Sequence, residues 1–230
     1  MEKYVVRTIP RPDQSLIDAF QKLDVSTVYE AQGKVGLLSH EIKPILENTL
    51  ICGPAVTATC FAGDNLMIHA AIEVCQPGDI LVVSTIGEST AGMIGELIVL
   101  ALQKRGVKGV VIDAGIRDVA RIKELGFPVW TKAISSQGTT KLRGGWVNAP
   151  AMCGGEVVNP GDLIMADDDG VVVVRQDQLH HVLEAAQQRM KKEEQTKAKI
   201  ANGELSLDFY SLREVLEKEN VKYYDSLPGT

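Results

Sequence analysis

Three charged residues are spaced so that they could share one chemistry. Glu96 opens the apolar run "ELIVLAL", and Arg117-Asp118 closes the run "GVVIDAGI", with twenty residues between Glu96 and Arg117. Arginine presents a planar fork of donors that matches a carboxylate or an enolate. Aspartate after it either caps the next helix or ligates a hard cation such as Mg2+ through oxygen. Glu96 follows Gly95 at a predicted helix N-terminus. There it either complements the helix dipole or borders an anion site made by free backbone N–H groups. If the strand end and the helix start face one crevice, the amides of Leu97 and Ile98 lie near Arg117, and the pieces form an anion-and-metal pocket.

The elements that must position these residues are legible. "ILVVSTIG" reads as a buried strand, and Leu97–Leu102 is apolar throughout before the helix-stop signature Gln103-Lys104-Arg105-Gly106. "GVVIDAG" is a second strand, "RDVARIKELG" a short helix and "PVWTKAI" a return strand. Residues 79–134 therefore spell strand–helix–strand–helix–strand, the pattern of a parallel sheet with crossover helices. Such sheets place ligand sites at the carboxyl ends of their strands, which is where Arg117 and Asp118 stand. Upstream, "RPDQSLIDAFQKLDVSTVYEAQG" reads as helix material, "LICGPAVTATCFAG" as strand, and Asp64-Asn65 opens a short helix. After Gly138, β segments separated by Gly, Pro and Asp predict a compact hairpin unit. Residues 177–201 predict a long helix with a charged distal half, and "SLREVLEKENVKYY" one more.

The totals exclude several classes. A net charge of −6 argues against a nucleic-acid surface, and no apolar run approaches the ~20 residues of a membrane span. The four cysteines have no CxxC spacing, which predicts reduced, buried thiols in a cytoplasmic protein. His69 and His180-His181 lack the partners of a zinc site. "ADDDG" lacks EF-hand spacing and reads as a turn. Ser135-Ser136 and Lys141 can touch a polar substrate tail; as a Schiff-base lysine, Lys141 would need a desolvated site.

Glu96, twenty residues, then Arg117-Asp118 resembles the D-x20-R-D signature of the RraA-like family, with Glu where that signature has Asp. The stretches "GDNLMIHAAIEVCQPGDILVV", "RGVKGVVIDAGIRDV", "GFPVWTKAISSQGTTK", "PGDLIMADDDGVVVV" and "AKIANGE" resemble its 4-hydroxy-4-methyl-2-oxoglutarate/4-carboxy-4-hydroxy-2-oxoadipate aldolases. These are class II, metal-dependent pyruvate aldolases of aromatic compound degradation. The resemblance implies a layered αββα sandwich with parallel strand–helix units, a β-rich second half and a C-terminal helical arm. It implies a catalytic domain over 1–176 and an extension over 177–230 that packs on a neighbouring subunit.

The resemblance also implies roles. Asp118 ligates Mg2+ or Mn2+. Arg117 contacts pyruvate and stabilises its enolate. The Gly95–Glu96–Leu97–Ile98 turn holds the pyruvyl carboxylate through the Leu97 and Ile98 amides. Glu193 reaches a neighbour's metal–water network, within homotrimers or homohexamers. Oxaloacetate decarboxylation follows as a side activity. A non-enzymatic, RNase-regulator-like binding protein and a dedicated oxaloacetate decarboxylase are the rival readings.

Overall fold

The computed structural model describes residues 2–227. Met1 and the last three residues of the expected extension lie outside them. The chain divides into two units, one running to Ala186 and one starting at Gln187.

The first unit opens with β1 (Tyr4–Val5), α1 (Gln14–Phe20), α2 (Val25–Ala31), β2 (Lys43–Pro44) and the long β3 (Ile51–Phe61). The helical stretch at its start is cut in two because Asp24 caps a new helix. Its carboxylate accepts from the Thr27 amide at 2.6 Å, a bond that commonly stabilises a helix start by ~1 kcal/mol. Next come α3 (Leu66–Val74), β4 (Ile80–Ile86), β5 (Gly92–Ile94), α4 (Glu96–Lys104), β6 (Gly109–Ile116), α5 (Val119–Glu124) and β7 (Val129–Ile134). Strands β3, β4, β6 and β7 lie side by side and parallel, as the strand–helix alternation requires. The short β5 was not anticipated: it adds parallel to the end of β6, and three residues carry no readable periodicity.

The β-rich second half holds β8 (Trp146–Val147), the hairpin of β9 (Ala151–Cys153) and β10 (Glu156–Val158), and the hairpin of β11 (Leu163–Ala166) and β12 (Val171–Val174). "ADDDG" is the turn of the second hairpin. Its Asp167 and Asp168 carboxylates accept from the amides of Val25 and Asn48, which makes it a structural tie. Helix α6 (Leu179–Ala201) follows.

Two-residue alternation sorts the side chains into layers. Leu81 and Val83 of β4 point into a core shared with α3, α4 and α5, while Ile80 and Val82 point the other way. That second core is closed by Ile164, Ala166, Val171 and Val173 of the β11–β12 hairpin. The hairpin's opposite face, Leu163, Met165, Val172 and Val174, packs on α1, α2 and the start of α6. The order is helices, sheet, sheet, helices, the αββα sandwich. All four cysteines are buried free thiols, and burial pushes those of Cys52, Cys60 and Cys75 up to about 12. They are inert packing groups.

The second unit holds the rest of α6, α7 (Ser206–Phe209) and α8 (Leu212–Lys218). None of its described side chains is buried, and its helix carries the pairs Arg189–Glu193 at 3.2 Å and Lys197–Glu194 at 2.8 Å. No helix among the described residues is long and apolar enough to cross a membrane.

Candidate functional site

Strand β6 delivers Arg117 and Asp118 at its carboxyl end, and β5 beside it delivers Gly95 and the first turn of α4. The Arg117 amide donates to the Ile94 carbonyl at 2.8 Å, which locks the two strand ends together. The Glu96 amide, an orphan donor at the head of α4, then donates to Asp118 Oδ2 at 3.1 Å. Asp118 takes the left-handed conformation, φ +57°, which aspartate tolerates better than most residues. In that conformation it turns its carboxylate toward α4 and makes no cap bond to its own helix. The helix-capping alternative for Asp118 is therefore set aside by geometry.

Gly95 is needed for room. Its backbone is extended, which any residue adopts, but a Cβ there would collide with Asp118 Oδ2 and crowd Arg117 Nε. Arg117 Nε stands 3.7 Å from Asp118 Oδ2, and both side chains are a little over two-fifths exposed. The guanidinium is thus beside the carboxylate without being consumed by it. Gly95, Glu96, Arg117 and Asp118 therefore adjoin one another at the ends of β5 and β6.

The two amides separate. Ile98 N–H is spent on the Gly95 carbonyl at 3.1 Å, whereas Leu97 N–H has no acceptor among the described residues. The side chains are reversed, Leu97 being 81% exposed and Ile98 packed in the core. The donor left for an anion is that of Leu97. Glu193 lies in the second unit, paired with Arg189.

The donor set decides which metal suits the site. Among the described residues of one chain no three His, Cys, Asp or Glu side chains converge, so there is no all-protein cage of the zinc or EF-hand kind. Mg2+ and Mn2+ need less: hard cations take one or two carboxylates and fill the rest of the shell with water and substrate oxygen. Asp118 Oδ1 accepts no hydrogen bond among the described residues, and the carboxylate of Glu96, whose amide bonds Asp118, has no partner there either. An oxygen-ligated divalent cation fits.

Sequence reasoning missed Asn65 as part of this neighbourhood. It is 3% exposed, its Nδ2 donates to the Met93 carbonyl at 2.9 Å in the strand leading to Gly95, and its Oδ1 is buried without a hydrogen-bond partner. Its only sequence signal was its place next to Asp64 at a helix start. His69 lies one turn further along α3, its pKa lowered by burial first and by the charge of Lys141 second.

Comparison with known proteins agrees with this architecture. The family model described as Aldolase/RraA, of the RraA-like group, matches residues 15–173. A Halalkalibacterium halodurans protein provisionally named a 4-hydroxy-4-methyl-2-oxoglutarate aldolase is 31% identical over 84% of this chain and 92% of its own. An uncharacterised protein of Methanocaldococcus jannaschii is 35% identical over 77% of this chain and 84% of its own. Among solved structures, Streptomyces coelicolor RraAS2, described as an unusual member of the RNase ES inhibitor RraA family, superposes with a TM-score of 0.75 at 28% identity. That match covers 83% of this chain and 99% of the other. With the family's model spanning more than two thirds of the chain, this protein belongs to the RraA-like, Aldolase/RraA family.

Proposed function

We propose that this protein cleaves 4-hydroxy-2-oxo acids by a retro-aldol reaction, with 4-hydroxy-4-methyl-2-oxoglutarate and 4-carboxy-4-hydroxy-2-oxoadipate as substrates. The observation that carries the reading is the 3.1 Å bond from the Glu96 amide to Asp118 Oδ2. It brings a free helix amide, a guanidinium and an accessible carboxylate to one point. The relatives' aldolase name at about 30% identity supports the same reading.

The pyruvyl carboxylate binds the Leu97 amide at the positive end of α4. Arg117 faces the C2 oxygen, where negative charge grows as C3–C4 breaks. A donor aimed at developing charge is commonly worth ~3 kcal/mol. The C4 hydroxyl gives up its proton to a water relayed by Glu96, and its O–H electron pair closes the C4 carbonyl. The C3–C4 pair passes into the pyruvate enolate, and C3 then takes a proton. The products are pyruvate and a second oxo acid, pyruvate or oxaloacetate according to the substrate. Asp118, with Glu96 acting through water, would hold Mg2+ or Mn2+, which when bound supplies Lewis-acid polarisation of the 2-oxo group. Oxaloacetate decarboxylation generates the same enolate, so the same residues serve it.

Glu193 completes the site from a neighbouring subunit, in a trimer or a pair of trimers. The extension beyond Ala186 then packs on the neighbour, the start of α6 being packed within its own chain. Support comes from the second unit itself, which exposes Ile200, Leu205, Tyr210 and Tyr223 and buries none of its described side chains. Isolated segments of this kind need a partner surface to be stable.

Pyruvate release coupled to lactate dehydrogenase, run on the two hydroxy-oxo acids and oxaloacetate with and without Mg2+ or Mn2+, tests the proposal. Metal-dependent turnover is expected, fastest on a hydroxy-oxo acid. The likeness to RraAS2 favours a second reading, a ribonuclease-binding regulator. No turnover on any of the three compounds would leave that reading standing. Turnover confined to oxaloacetate would make the protein a decarboxylase instead.

A further inference from the structure

A cavity of about 500 Å³ opens between the end of α2, the end of β12 and the start of α6, and the chemistry assigned above uses none of its lining residues. Helix α2 and the start of α6 belong to the helix layer opposite the one that holds α4. The cavity is therefore a place apart from the Glu96–Arg117–Asp118 group. Its volume is in the range that takes a small molecule. Val173 and Val182 are buried in its lining, whereas Val35 leaves an aliphatic side chain exposed there.

The wall is set before any ligand arrives. Val173 N donates to the Gly36 carbonyl at 2.8 Å, and Gln32 Nε2 donates to the Val173 carbonyl at 3.1 Å. A wall fixed in advance spares a ligand the cost of ordering it.

Two opposite charges line the same cavity. Arg175 is oriented by Asp162, 3% exposed, whose Oδ2 accepts from Nη1 at 2.7 Å. Asp162 is further tied to the backbone, accepting from the amides of Asn159 at 2.8 Å and Gln176 at 3.2 Å. The guanidinium fork is thus held in place, while its Nε and Nη2 have no acceptor among the described residues. Glu156, half-buried on β10, has neither a hydrogen bond nor an ion pair among the described residues. Around one apolar lining, then, stand a carboxylate with no partner and a guanidinium with donors to spare. His181, which has no zinc partners, adds a flat imidazole to the lining.

We propose that this cavity binds a free α-amino acid with an aromatic side chain. The ammonium pairs with Glu156, the carboxylate takes the free donors of Arg175, and the ring lies against the valines beside His181. A ligand of one sign meets a like charge at one end, whereas a zwitterion is matched at both. This is a binding function separate from carbon–carbon cleavage, and it stands whether or not the aldolase reading does.

Titration of methyl-labelled protein with L-phenylalanine, followed by NMR, tests the proposal. Saturable shifts are expected at the methyl groups of Val35 and Val182. N-acetyl-L-phenylalanine lacks the ammonium and L-phenylalaninamide the carboxylate. Each should bind at least about tenfold more weakly, as for one lost charge-assisted bond. Glycine, which has no ring, should give no saturable shift. Glu156→Gln should weaken L-phenylalanine about tenfold and leave N-acetyl-L-phenylalanine within about twofold of the wild type. Arg175→Lys should likewise weaken L-phenylalanine and spare L-phenylalaninamide. Because the Glu156 side chain bonds nothing among the described residues, that variant is readable even if Arg175→Lys, which disturbs Asp162, fails to fold. No saturable shift with L-phenylalanine, equal affinity for the three phenylalanine compounds, or unchanged binding in Glu156→Gln overturns the proposal.

Discussion

At the scale of single residues, the site combines a carboxylate set by backbone conformation with a guanidinium left accessible beside it. Arg117→Ala is expected to lower pyruvate release at least about a hundredfold with the fold intact, since it removes the donor facing the growing charge. For Asp118 the cleaner variant is Asn, which tolerates the left-handed conformation and keeps an acceptor for the Glu96 amide while removing the charge. Its turnover should fall by a similar factor, with a raised metal requirement in a Mn2+ titration. Unaltered metal dependence after chelator treatment would show that Asp118 is no ligand. Glu96→Asp shortens the arm by one methylene at a place where ~1 Å matters. We expect kcat/KM for the two hydroxy-oxo acids to change relative to each other by about tenfold, and an unchanged ratio would remove Glu96 from the specificity argument.

At the scale of elements, the pocket depends on two strands and a helix ending at one point. Gly95→Ala tests this junction. Its extended backbone accepts alanine without strain, so any loss comes from the Cβ pressing on Asp118 Oδ2. Turnover is expected to fall at least about tenfold with circular dichroism unchanged, whereas wild-type turnover would mean that the Glu96–Asp118 contact is dispensable. The strand–helix–strand rhythm of residues 79–134 was readable because β4, β6 and β7 are buried on both faces and their helices carry an apolar stripe. The break at Asp24 and the three-residue β5 were not readable. One is a cap inside a continuous apolar pattern, and the other is held by its neighbour β6 rather than by its own residues.

At the scale of the whole molecule, acid stability should report the buried Asp64. Its folded pKa, about 2, lies below the ordinary carboxylate value of ~3.9. Its contribution is complete above the unfolded value and is lost as pH falls through the folded one. Urea midpoints of the wild type should therefore drop between about pH 4 and pH 2, and Asp64→Asn should flatten that drop. An identical slope in the two proteins would mean that Asp64 is not ionised in the fold. The proposed assembly has its own test: Arg117→Ala and Glu193→Ala proteins, mixed and allowed to exchange subunits, should recover part of the lost activity. No recovery after exchange verified by native mass spectrometry would place Glu193 outside the neighbour's site.

The sequence by itself determined the parallel strand–helix order of the central elements and the candidate status of Glu96, Arg117 and Asp118, while the layered class was implied by the family resemblance. Periodicity, glycine punctuation and residue chemistry are local properties, and they survive in a string. Only the tertiary structure decided that Asp118 turns toward α4 instead of capping its own helix. It alone left the Leu97 amide free while Ile98 was consumed, and it tied Asp64 to a loop seventy-six or more residues away. Those outcomes rest on contacts between segments distant in the chain, and no local pattern of residues encodes which partner a carboxylate will find.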